Sequence, residues 1–158
     1  MTFLRDAAFF LLLSAAHWWL HWAFPMGGLA PNLLFAAALS CAVLGGPVRG
    51  IAMPFLFGLY ADILGAGLAG SWALIYTLIG YAIQVMKRHF DLSSPFSQAA
   101  AGVILSLLSL AAYQSAYMII GGVSPLPLRA MLLEPLISAL TVPAVYAAAR
   151  RVCGRPSR

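Results

Sequence analysis

Charge is scarce in this sequence: Asp, Glu, Lys and Arg make up 8% of its 158 residues. Soluble domains carry about 25%. That shortage, beside an apolar content of 63%, excludes a soluble enzyme and a disordered chain. Cysteine is nearly missing too. Cys41 falls inside an apolar run and Cys153 in a basic tail, so they sit at different depths, and a disulfide scaffold is excluded. There is no Cys-x-x-Cys spacing for a metal. No polar stretch is long enough to form a soluble head on a membrane anchor. No nucleophile–base pair, phosphate-cradling glycine loop or ATPase motif is readable. The sequence therefore predicts no enzyme, no catalytic residue, no cofactor and no metal site.

What is present is apolar sequence, with a mean hydropathy of +0.93. A helix needs about 20 apolar residues to cross a ~30 Å hydrocarbon layer. Six candidates follow, at about 4–24, 32–46, 50–67, 71–88, 95–120 and 130–150. Together they predict one polytopic all-α membrane domain over residues 1–158. The breaks carry turn chemistry: Pro25, Gly27, Gly28 and Pro31; Gly45, Gly46 and Pro47; Gly65, Gly67 and Gly70; Lys87 to Asp91; Gly121, Gly122, Pro125 and Pro127. Ser94 followed by Pro95 is a helix start, with Ser as cap and Pro at the first helical position. The second span is short, which leaves open a five-span reading with 32–67 as one re-entrant unit.

The net charge of +5 is unevenly placed. With the N-terminus inside, Arg5, Arg49, Lys87, Arg88, Arg150, Arg151, Arg155 and Arg158 fall on the cytoplasmic side, and Arg129 alone falls outside. The positive-inside rule then favours six spans with both termini in the cytoplasm. So placed, the basic residues read as a topology signal that meets lipid headgroups, not as a nucleic-acid surface. Arg5 beside Asp6 cancels the charge a signal peptide would need, so the first segment reads as a mature helix. Trp18, Trp19 and Trp22 fit an outer aromatic belt, with Trp72 at the same level.

Polar side chains inside the apolar segments are costly and need a reason. Asp62 lies 13 residues past Arg49, about 20 Å along a helix. His17, His21, Tyr76, Tyr113, Gln114 and Glu134 reach similar depth. They predict a polar pocket opening toward the outer leaflet. Each also has a structural reading. Asp62 could cap a neighbouring helix. His17 and His21, spaced i and i+4, lack a third metal ligand. Ser106, Ser109 and Tyr113 share one helix face and suit helix–helix contact. Glu134 could neutralise Arg129. The small residues from Gly65 to Gly70 permit close helix approach. Two alanine-rich faces suit a partner helix: Ala36, Ala37, Ala38 and Ala42, and Ala99 to Gly102. The glycine-rich end of the third helix suits one too.

The segment GLYADILGAGLAGSWAL, Gly58 to Leu74, resembles the signature of the MreD family of rod shape-determining membrane proteins. The matching positions are Gly58, Leu59, Asp62, Gly65, Gly70, Ala73 and Leu74. PNLL at Pro31 to Leu34 resembles that family's opening of its second helix, with Asn32 where members often carry an acidic residue. KRHF at Lys87 to Phe90 and the close of the last helix at Arg150 and Arg151 are similar as well. The resemblance implies a six-helix protein of the bacterial inner membrane that binds the bitopic protein MreC. It implies work beside MreB, RodA and a class B penicillin-binding protein, as a non-catalytic scaffold or regulator of lateral peptidoglycan synthesis. It also implies a fold similar to the substrate-binding subunits of energy-coupling-factor transporters. A vitamin-binding transporter subunit is the rival reading. Short outer loops and few specific hydrogen-bonding side chains weigh against it. A small channel or exporter would rest on Asp62 alone.

Overall fold

A computed structural model describes residues 2–23, 31–65, 68–92, 94–120 and 128–153. The expectations placed on Pro25, Gly27, Gly28, Gly67, Gly121, Gly122, Pro125, Pro127, Arg155 and Arg158, and on the Arg129 side chain, lie outside the described residues. Six helices form: α1 (Thr2–Ala23), α2 (Leu33–Leu44), α3 (Arg49–Leu64), α4 (Ser71–Met86), α5 (Pro95–Ile119) and α6 (Leu128–Cys153). By length and composition, α5 is the one described helix that is long and apolar enough to cross a membrane; α2 and α4 are shorter apolar helices.

The caps explain several boundaries. Asn32 precedes α2, and its side-chain oxygen accepts the Phe35 N–H at 3.0 Å. Ser94 does the same for α5, accepting from Ser97 N at 3.1 Å, with Pro95 behind it. Gly45 and Gly65 turn extended and stop α2 and α3. α3 therefore ends at Leu64, short of the expected 67, and 33–64 is two helices with a turn between them.

α2 is the centre of the molecule. It packs on each of the other five helices, and its residues from Leu34 to Leu44 are all buried. A helix apolar on every side has no outward face and belongs in the interior. This corrects one expectation: Ala36, Ala37, Ala38 and Ala42 are at most 1% exposed and contact the protein's own helices. They offer nothing to a partner. α5 instead carries a one-sided stripe, burying Gln98, Ala101, Gly102, Leu105, Ser106, Ser109, Leu110 and Tyr113 at helical spacing. Ala101 and Gly102 are thus also internal, Gly102 facing Ala139 and Val142 of α6; of that second alanine-rich face, Ala100 is outward.

α3 and α4 form the most extensive pair. A methyl group on Gly58 would lie 2.4 Å from the Trp72 carbonyl oxygen and 2.6 Å from Ala73 Cα, so the helices touch backbone to backbone there. Pro54 lacks the N–H that would bond the Gly50 carbonyl. Gly80 of α4 passes over that carbonyl so closely that a Cβ would come within 2.7 Å of it. The sequence reading placed close approach at Gly65–Gly70. The structure shows it about two turns before Gly65, at Gly58.

Polar groups gather at the two ends of the bundle. At one end Arg49 pairs with Asp6, and Arg5 donates to the Val152 carbonyl. At that end the Lys87 ammonium also donates to the carbonyls of Ala42, Val43 and Gly45, the last at 2.6 Å, closing the C-terminus of α2. Partial burial holds Lys87 below the ordinary lysine pKa. The other end holds the cavity described next.

Candidate functional site

The site is a cavity of about 510 Å³ where the C-terminal ends of α1 and α3 meet the N-terminal ends of α2, α4 and α6. Its wall brings together His17, His21, Asn32, Tyr76 and Glu134 from the expected polar set, with Trp18, Trp72, Leu34, Ala61, Leu64 and Gly65. Asp62, Tyr113 and Gln114 do not line it.

Asp62 has a different task. One carboxylate oxygen accepts the Trp72 N–H at 3.0 Å and the other the Ala73 N–H at 2.9 Å, with Ser71 Oγ at 3.5 Å. These amides belong to the first turn of α4, whose donors have no partner within the helix. Asp62 therefore satisfies two orphan donors and sets a negative charge at the positive end of the helix dipole. The residue before α4, Gly70, has φ +86°, a left-handed conformation that a Cβ disfavours. Gly58, Asp62 and Gly70 act as one unit: close approach, cap and turn of the α3–α4 hairpin.

Asn32 is the hub of the cavity. Besides capping α2, it donates from Nδ2 to the Tyr76 hydroxyl at 3.3 Å and to the Glu134 carboxylate. Its backbone N–H donates to Ser138 Oγ at 3.0 Å. One side chain thus ties α2 to α4 and α6. Pro31 stands immediately before it, and its carbonyl accepts from Leu33 N. Glu134 faces Asn32 and the cavity.

Aromatic rings build much of the remaining wall. Trp72 stacks on Tyr113 of α5, centroids 4.7 Å apart and planes 13° off parallel, and meets Tyr76 edge-on at 5.7 Å. Trp72 is accordingly half-buried and internal, not a member of the outward belt. Trp18, Trp19 and Trp22 are exposed by 61%, 58% and 75%. His17 and His21 lie ring to ring at 4.4 Å on α1. Among the described residues no three His, Cys, Asp or Glu side chains gather as metal ligands. Of the serines on the buried face of α5, Ser109 is satisfied locally: its Oγ donates to the Ser106 carbonyl at 2.7 Å.

An all-helical bundle with apolar side chains outward and polar groups drawn to its two ends defines a protein of the membrane class. The family described as rod shape-determining protein MreD matches residues 2–152, so the chain belongs to the MreD family. Its role lies in rod-shape determination at the membrane, and the family is a shape-determining one, not an enzyme family. No curated protein and no solved structure matches.

Proposed function

We propose that this chain is a non-catalytic scaffold of the bacterial elongation machinery, crossing the inner membrane six times with both termini in the cytoplasm. The family match spanning all six helices carries the reading. Large apolar side chains face outward on every helix except α2, among them Leu11, Ile63, Leu74, Ile104 and Leu140. Such a surface suits lipid. Antiparallel neighbours alternate the basic end with the cavity end, and this supports a positive-inside orientation. The fold proposed by resemblance to the substrate-binding subunits of energy-coupling-factor transporters stays with this reading as architecture, without their vitamin chemistry.

The partner in this proposal is MreC, and through it MreB, RodA and a class B penicillin-binding protein. Its single span would lie against α5, which packs mainly on α4 and α6 and turns the small residues Ala111, Ala112 and Ser115 outward on adjoining turns. Small residues let helices approach in lipid, where packing and not the hydrophobic effect drives association. Gly58, Asp62, Gly65, Gly70, Pro31 and Asn32 contribute by holding the scaffold's shape.

Mild affinity purification from native membranes tests this. A stoichiometric single-span protein with a periplasmic coiled coil is the expected companion. Recovery of paired ATPases with a membrane coupling subunit in its place would overturn the proposal.

A further inference from the structure

The cavity holds an unbalanced set of groups. Among the described residues, Glu134 is the one carboxylate on its wall, and neither a Lys nor an Arg side chain lines it. Asn32 supplies a neutral hydrogen bond to that carboxylate, not a counter-charge. A carboxylate withdrawn from bulk water and left without an opposite charge is costly. Around it stand the rings of Trp18, Trp72 and Tyr76, whose faces attract cations. His17 Nδ1 is buried and has no hydrogen-bond partner among the described residues. In the neutral ring protonated at Nε2, that nitrogen is an acceptor.

We propose that this cavity binds a primary ammonium group, paired with Glu134 and enclosed by Trp18, Trp72 and Tyr76. An ammonium has three donors and no acceptor. Glu134, His17 Nδ1 and the Tyr76 oxygen match it as acceptors. A quaternary ammonium has no N–H to give Glu134 and would leave His17 Nδ1 without a donor. The cavity, at about 510 Å³, is larger than the ammonium itself, so the group arrives on a carrier. The carrier is either an aminoethyl phospholipid headgroup or a soluble amine. The first is favoured because the Trp18 wall belongs to the exposed tryptophan cluster, and such rings settle at headgroup level. The proposal does not depend on which proteins the scaffold retains.

Native mass spectrometry of the purified protein tests it. The full chain is released from nanodiscs holding equal parts phosphatidylethanolamine, phosphatidylcholine and phosphatidylglycerol. Retention of phosphatidylethanolamine over the other two is expected, falling about tenfold in Glu134→Gln, the loss of one charge-assisted contact. Equal retention of all three lipids by the wild type, with no response to a soluble amine, overturns the proposal whether or not the variant folds. In a parallel arm, lipid-depleted protein in detergent is titrated with ethanolamine while tryptophan fluorescence is read. A saturable response that Glu134→Gln abolishes, without lipid selectivity, assigns the site to a soluble amine. Lipid selectivity without that response assigns it to the headgroup. Selectivity or a response unchanged in a folded Glu134→Gln variant overturns the role of Glu134 and with it the proposal.

Discussion

Asp62 shows how a charge inside an apolar segment is made tolerable. Its two oxygens are spent on the Trp72 and Ala73 amides, so the carboxylate neither needs a cation nor points into the cavity. Asp62→Ala should leave insertion into the membrane intact and lower the stability of the α3–α4 hairpin by about 0.5–2 kcal/mol, the usual range for a lost cap. Asp62→Asn keeps one acceptor oxygen and should fall between the two. A thermal melt in mild detergent checks the order, and a melting temperature for Asp62→Ala equal to wild type would remove the capping role. Asn32 was legible only through the resemblance, as the position where family members often carry an acidic residue. Its reach to Tyr76 and Glu134 was not, because sharing an end does not say which helices are neighbours or how they are rotated.

Helices meet at glycines here, and the register of the contact decides which glycine matters. Gly58→Ala places a methyl within 2.4 Å of backbone that has no rotamer to give way. It should destabilise by about 1–3 kcal/mol, as overpacked contacts do. Gly65→Leu is the control. Gly65 lines the cavity, so a larger side chain there occupies space and spares the α3–α4 contact. The expected ranking by melting temperature is wild type, then Gly65→Leu, then Gly58→Ala; the reverse order would move the close approach back to Gly65. Gly58 and Gly65 both stood out in the sequence, and both are seven or fewer residues from a break. Only the pairing of α3 with α4 separates contact from cavity wall. The same holds for the alanines of α2: their composition fits an interface, and the interface proves to be internal.

Across the whole molecule, the two ends differ chemically. One is closed by Arg5, Asp6, Arg49 and Lys87, and the other by the aromatic and carboxylate cavity. With Cys153 replaced by Ser and Cys41 kept in its buried position, single cysteines can report the sidedness. Phe90→Cys, 64% exposed near the basic end, should react with an impermeant maleimide only after the cytoplasmic face is opened. Trp22→Cys, 75% exposed near the cavity end, should react from outside in intact spheroplasts. Leu140→Cys, 78% exposed midway along α6, should resist labelling from both sides because lipid covers it. Labelling of Phe90→Cys from outside would overturn the proposed orientation.

Composition and spacing alone determined the number of helices and their class. Those properties are local: apolar runs of a given length, glycine and proline breaks and capping residues act within a few residues of themselves. They also determined which polar side chains share an end, since depth follows from counting along a helix. The tertiary structure decided the rest. It put α2 in the middle, sent Asp62 to an adjacent helix instead of the cavity, and turned Trp72 inward onto Tyr113. It also made Asn32 the link between three helices. These are matters of which helices are neighbours and how they are rotated, and in an apolar chain every face of a helix is compatible with burial. Close packing and the pairing of buried polar groups choose among them, and both exist only once the helices are assembled.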